Sequence, residues 1–292
     1  MEAWVGRPEE LPKIARDAGL QQIMADLKAG LDELCSLGDE VACRLCGKQA
    51  ALTEEHAPSK AAGNAGPMIG ARIDDVATRD AGTLVWARDE DSSDGATFKT
   101  LCASCNNETG RRYNPSYVAL VRACESLALP DAAGSLATVG VINRPLVAKQ
   151  ALVSLIATSQ PGLTTKYPSL RQLLMRSVAR GSLAPWRLWC HLMANQVAMY
   201  TGIAVTVDRQ RRAGGLVASV AYWPLGWLLT TGDVTVEGAA DVSGWLELGK
   251  HTTPVPIELP CQWRFTQYPT DFRSPAEVLR ESGPGHAGQT HR

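Results

Sequence analysis

Apolar positions along the chain change their spacing several times, and each change predicts a different element. Between residues 11 and 37, Leu20, Ile23, Met24, Leu27, Leu31, Leu34 and Cys35 recur every three or four positions, with Asp and Lys between them. That spacing lines one face of a helix, so an amphipathic helix or a broken pair is expected, with Gly19, Gly30 and Gly38 as breaks or caps. Helical spacing resumes from Pro115 through Tyr117, Leu120, Val121 and Cys124. Pro145–Thr158 then reads as a mostly apolar helix and Ser169–Val178 as a second. In Val197–Val207, Leu216–Thr230 and Val242–Leu248, β-branched and aromatic residues dominate with turn residues between, which predicts strands of an antiparallel sheet.

Between these periodic stretches the pattern lapses. Residues 57–96 are rich in Gly, Pro, Ala and Asp, apart from the strand-like run Thr83-Leu84-Val85-Trp86. Such length exceeds a simple connection and predicts a functional loop or an elaboration of a smaller core. Leu127–Gly140 is small and loop-like, a natural boundary, and after Pro275 a Gly-, His- and Ser-rich stretch predicts a disordered tail. No internal repeat is visible. The expected class is α+β, organised as an N-terminal helical segment (1–40), a cysteine-bearing domain (41–126), a separate C-terminal α+β domain (127–274) and a tail (275–292).

Composition changes this picture little. The chain has 292 residues, 45% hydrophobic and 20% charged, ordinary for a soluble globular protein. No stretch reaches the ~18 uninterrupted apolar residues of a membrane helix, and the opening residues carry acid where a signal peptide needs a basic region. A cytoplasmic protein without membrane contact is therefore expected. The net charge of −1 argues against a coat for nucleic acid. Its distribution leaves room for a phosphate-binding face: residues 1–40 hold 4 Lys and Arg against 9 Asp and Glu, whereas residues 131–292 hold 15 against 10.

The cysteines change it a great deal. Of eight, Cys35, Cys124, Cys190 and Cys261 are scattered, but Cys43-Arg44-Leu45-Cys46-Gly47-Lys48 and Leu101-Cys102-Ala103-Ser104-Cys105 each form a Cys-x-x-Cys knuckle. A disulfide framework belongs to shorter, secreted, cysteine-dense chains, so paired thiolates here read as metal ligands. Two such pairs make a closed tetrahedral four-cysteine site for structural Zn2+, with no position open for chemistry. The 55 residues between Cys46 and Cys102 mean that something is inserted between the knuckles.

Within and beyond that insertion lie two polar units. Leu52-Thr53-Glu54-Glu55-His56-Ala57-Pro58 follows the first knuckle, and Asn106-Asn107-Glu108-Thr109-Gly110-Arg111-Arg112 follows the second directly. A shared metal would hold the knuckles side by side and bring both units together.

Over roughly residues 41–115 these motifs resemble the HNH (ββα-metal) endonuclease family, in its zinc-stabilised branch. The resemblance implies a ββα-metal core in which His56 is the base that deprotonates water. Glu55 and Asn106, with Asn107 as the alternative, would be oxygen ligands for a catalytic Mg2+ or Mn2+. Lys99, Arg111 and Arg112 would steady the phosphate; solvated surface charge is an equally good reading of each singly. A phosphodiester repels nucleophiles, so its hydrolysis needs such a base and a cation, and an imidazole is a usable base near neutrality. Two positions depart from the family. Its middle Asn, which tethers the catalytic loop, is Thr97 here, whose hydroxyl could make part of the tether unless another residue of the insertion replaces it. Its last ligand is Asn106 rather than His.

The expected function is metal-dependent cleavage of nucleic acid, DNA before RNA, in restriction or phage defence. The expected partners are nucleic acid, a second copy of the chain as a homodimer, and a protein of a defence system. The alternative is a zinc-stabilised nucleic-acid-binding or adaptor module without chemistry. Other features weigh less. His191, in an aromatic and half-apolar stretch, reads as structural, His286 and His291 fall in the expected tail, and Arg209–Arg212 reads as a solvated turn. Gly63-Asn64-Ala65-Gly66-Pro67 lacks the flanking strand and helix of a nucleotide loop.

Overall fold

A computed structural model describes residues 18–38, 41–66, 68–70, 90–92, 94–127, 136–176, 181–193, 198–208, 213–236, 238–248 and 253–262. The first apolar stripe forms helix α1 (Ala18–Ser36), which buries Leu20 and Leu34. Strand β1 (Leu52–His56) pairs antiparallel with β4 (Thr97–Cys102), and the short strands β2 (Met68–Gly70) and β3 (Glu90–Ser92) pair with each other in the connection. Helix α2 (Ala103–Glu125) follows β4 without a break, with Cys102 as its N-cap residue.

Strand β5 (Leu136–Ile142) leads into α3 (Arg144–Thr158), whose N-terminus is set by two local devices. The Asn143 side chain accepts from the Leu146 amide, and Pro145 occupies the first turn, where its missing N–H costs nothing. Almost every residue of α3 is buried, because α2 lies on one side and the large sheet on the other. Short helices α4 (Leu163–Lys166) and α5 (Pro168–Met175) then lead to β6 (Trp186–Met193), β7 (Ala198–Asp208), β8 (Ala213–Tyr222), β9 (Leu225–Thr231), β10 (Ala240–Asp241) and β11 (Val255–Gln262).

The large sheet runs β5-β11-β6-β9-β8-β7, with β10 also paired to β6, and α1 packs across β7 and β8. All pairs are antiparallel except β11 with β6. The fold is α+β. One hydrophobic core runs from Leu34 through the four knuckle cysteines and α3 to Leu259. Trp227 Nε1 donates to Tyr117 Oη at 3.0 Å, and Tyr113 Oη donates to the Leu174 carbonyl at 2.5 Å, so α2 is tied both to the sheet and to α5. Among the described residues, no helix is long and apolar enough to cross a membrane.

Four expectations need correction. Val242–Leu248 is no strand: the Asp241 carboxylate accepts from the Ser243 amide at 3.0 Å and its hydroxyl at 2.6 Å, folding Ser243–Glu247 into a 3-10 turn. Leu136–Ile142, which begins in the expected boundary loop and runs past its end at Gly140, is a strand, because β11 supplies its hydrogen bonds. Helix α2 begins at the second knuckle rather than at Pro115, which it carries in its interior. Leu216–Thr230 is two strands, parted at Trp223–Pro224. The runs Thr83–Trp86, Arg209–Arg212 and 275–292 lie outside the described residues.

Candidate functional site

The first knuckle is closed by two short turns, with Cys43 N donating to Lys48 O at 2.9 Å and Gly47 N to Cys43 O at 2.7 Å. Arg44 N donates to Thr100 O at 2.9 Å, which fastens this knuckle to β4 just before the second one. As a result the sulfurs of Cys43, Cys46, Cys102 and Cys105 all lie within 4.8 Å of one another, and all four residues are buried. Cys46 and Cys102 Sγ are 3.9 Å apart. A tetrahedron with metal–sulfur bonds of about 2.3 Å has edges near 3.8 Å, whereas a disulfide would need about 2.05 Å.

The thiols perturb one another strongly. The Cys105 thiol, with the backbone amides of Cys102, Cys46 and Leu45, holds Cys43 down to about 4 against its burial. Cys43 in turn pushes Cys105 far up, while burial raises Cys46. Four convergent buried sulfurs, one readily ionised and ringed by amide donors, fit a single metal ion such as zinc.

Beside this cluster stand the acid and the amide. Successive side chains of a strand point to opposite faces, so Glu54 and His56 share one face of β1 and Glu55 takes the other. Glu55 is only 5% exposed, and its Oε2 finds no hydrogen-bond donor among the described residues. Burial, with the nearby Cys43, pushes its carboxyl up to about 7. Asn106, in the first turn of α2, donates through Nδ2 to Thr53 Oγ1 and to the Glu54 carbonyl, both at 3.2 Å. A carbonyl can only accept, so the amide nitrogen must face the strand and Oδ1 is turned away from it. A carboxylate and an amide oxygen are the ligand types that hard divalent cations take.

His56 ends β1. Its Nε2 lies 2.9 Å from the Asp94 carbonyl, which can only accept, so Nε2 carries the hydrogen and a neutral ring keeps its lone pair on Nδ1. The Asp94 carboxylate is 3.6 Å from the same nitrogen and 2.5 Å from Lys60 Nζ. The Lys60 ammonium, helped by His56, holds that carboxyl below its ordinary range.

The loop after His56 is fastened at several points. Asn64, fully buried, donates to the carbonyls of Pro58 at 2.8 Å and Ala96 at 2.9 Å and accepts from Ala96 N at 2.8 Å. Gly95, at φ +79°, makes room for it: a Cβ there would overlap Asn64 Oδ1 and its backbone carbonyl. Ser59 Oγ donates to Asn114 Oδ1 of α2 at 2.5 Å.

Thr97 lies directly opposite His56 in the ribbon, but the tethering hydrogen bonds are those of Asn64. Asn64, Asp94 and Asn114 were not legible as site residues. The one available signal was Gly63-Asn64-Ala65-Gly66, an Asn flanked by turn residues that can bond backbone. Lys99 is exposed, 3.5 Å from Glu54, and Asn107 is exposed on α2. Arg111, also exposed, bonds both oxygens of Glu108 at 3.0 Å and is the main cause of that carboxyl's lowered pKa. Arg112 is only half available: it donates to the Met175 carbonyl at 2.8 Å and pairs with Glu108, so it braces α2 against α5. His191 sits in β6 opposite Gly226, where any Cβ would run into the imidazole. Comparison with family models, with curated proteins and with solved structures returned no match.

Proposed function

We propose that this chain is a metal-dependent endonuclease of the HNH (ββα-metal) type that hydrolyses phosphodiester bonds of nucleic acid, DNA before RNA. The observation that carries the reading is His56: its Nε2 is committed to the Asp94 carbonyl, at the end of a strand–strand–helix unit that also carries Glu55 and Asn106. A neutral imidazole fixed in that way presents Nδ1 as a proton acceptor, which is what a general base for water requires. The four-cysteine cluster supports a structural Zn2+ with every sulfur used and no catalytic position.

Glu55 and the carbonyl oxygen of Asn106 would hold the catalytic ion, Mg2+ or Mn2+, with Asn107 as an exposed neighbour. Such an ion, when bound, takes up charge on the phosphate and on the leaving oxygen. The remaining chemistry belongs to the chain's own groups. His56 Nδ1 takes a proton from water, the water oxygen bonds to phosphorus, and the bond from phosphorus to the 3′ oxygen breaks. The Asp94 carboxylate lies 3.6 Å from Nε2, on the side of the ring away from the proton acceptor. Asn64 keeps the loop that leaves His56 from drifting. Lys99 and Arg111, both exposed, are suited to hold flanking phosphates, whereas Arg112 serves the fold.

The test is nicking of supercoiled plasmid with Mg2+ or Mn2+, an EDTA control, and His56→Ala beside the wild type. Metal-dependent nicking that His56→Ala lowers by at least about 100-fold, the low end of general base catalysis, is expected. Binding of the plasmid without nicking, or a His56→Ala protein that keeps its zinc and cuts at the wild-type rate, would overturn the reading.

A further inference from the structure

The loop that follows the proposed base is held from outside its own unit. Tyr222 closes β8, on the large sheet, and its hydroxyl donates to the Gly63 carbonyl at 2.8 Å. Gly63 immediately precedes Asn64, whose amide spans Pro58 and Ala96, so one hydrogen bond from the sheet lands on the segment that fixes the exit from His56. The Ala65 backbone amide faces the same phenolic oxygen, and burial pushes the Tyr222 hydroxyl up, so it stays a proton donor at neutral pH. Two residues earlier on β8, Val220 pairs with Tyr200 of β7. The Tyr200 ring meets Phe98 edge-on, with centroids 5.3 Å apart, and Phe98 pairs with Glu55 in the ribbon. Side chains two apart on a strand, and those paired across strands, share a face. One face of the sheet therefore touches both sides of the site: the loop through Tyr222 and the ribbon through Tyr200.

We infer that Tyr222 is a positioning residue for His56, through which the C-terminal sheet holds the loop 57–66 in its working geometry. The inference rests on the nuclease reading for its catalytic consequence, though not for the brace itself. A side chain that only adds stability would alter the folded fraction. One that aims the base alters turnover in molecules that are already folded, since small displacements of a catalytic group cost rate steeply.

The experiment compares wild type, Tyr222→Phe and Tyr113→Phe, the last removing a similar hydroxyl-to-carbonyl bond that runs from α2 to Leu174 of α5 and not to the loop. Each protein is checked for zinc content, then assayed on a labelled duplex with Mn2+ for kcat and KM and by amide hydrogen exchange. Tyr222→Phe is expected to lower kcat about tenfold with KM and zinc unchanged. It should also speed exchange of the loop 57–66 amides about fivefold, the net worth of one hydrogen bond. Tyr113→Phe is expected to leave both quantities at wild-type values. Unchanged loop exchange in Tyr222→Phe, an unchanged kcat, or an equal fall of kcat in Tyr113→Phe each overturns the inference. If the wild type cuts nothing, the nuclease reading fails instead, and exchange in the loop still decides the brace.

Discussion

Asn64 and Ala96 are joined by a two-way hydrogen bond: the Ala96 amide donates to Asn64 Oδ1 at 2.8 Å, and Asn64 Nδ2 donates to the Ala96 carbonyl at 2.9 Å. The pair lies 32 positions apart and clamps both ends of the insertion behind His56. No short hydroxyl side chain can reproduce it, because it needs a donor and an acceptor on one planar group.

Replacing Asn64 by Ala removes three hydrogen bonds, leaving the buried Pro58 carbonyl and the part-buried Ala96 amide without these partners. A loss of about 2–4 kcal/mol is expected in denaturant unfolding, with zinc retained. Nicking should fall by more than the folded fraction accounts for. Asn64→Asp keeps the acceptor but loses both donated bonds, so it should recover only part. Wild-type nicking by a folded Asn64→Ala protein would show that the clamp is unrelated to the site.

The four buried sulfurs predict about one tightly held zinc per chain by native mass spectrometry. The same knuckle is latched to the other half of the fold: Arg44 Nη1 donates to the Ala157 carbonyl at 2.7 Å, and Thr164 Oγ1 donates to the Arg44 carbonyl. Loss of the metal should therefore loosen more than the ribbon. Cys102→Ser, or a strong chelator, is expected to lower the unfolding midpoint of the whole chain and to speed hydrogen exchange in α3 as well as in β1 and β4. A protein that binds no metal as purified, yet unfolds at the same midpoint with and without chelator, would contradict this.

Asp241 gives a pH-dependent contribution whose sign is set by its partners. Burial pushes its carboxyl up, but the hydroxyl and amide of Ser243 and the Arg187 guanidinium together hold it below the ordinary range. A carboxyl with a depressed native pKa stabilises the fold above its unfolded pKa of about 3.9, and that contribution is lost as pH falls through the lower native value. The pair is partly exposed, so Asp241→Asn should cost only about 0.5–1 kcal/mol in urea at about pH 7. The gap between variant and wild type should close below about pH 4. A gap that stays constant from about pH 7 to about pH 3.5 would assign the loss to the turn at Ser243 and not to charge.

Some of this molecule was legible residue by residue. The knuckle spacings Cys43–Cys46 and Cys102–Cys105 announced four convergent sulfurs, because two thiols three apart on a tight turn can reach one ion whatever lies between the pairs. The spacing of Leu20, Leu27 and Leu34, and the apolar density of Pro145–Thr158, announced α1 and α3 for the same kind of local reason. Strand β5 stayed hidden because Gly140 interrupts its β-branched run Thr138, Val139, Val141 and Ile142, and its partner β11 lies more than a hundred positions later. The turn at Ser243 stayed hidden because one carboxylate outweighs the propensity of its neighbours.

By itself, the sequence determined which chemical groups this protein owns and which of them recur at a ligand's spacing. Only the tertiary structure decided which of those groups are committed. Asp94 holds the His56 ring, Asn64 of the insertion bonds Ala96, Arg112 belongs to the Met175 carbonyl, and Tyr222 reaches Gly63. The physical reason is range. Spacing along a helix or a turn acts over a few residues, whereas these bonds join positions 32 to 159 apart and exist only once the core has paid the entropy of closing such loops.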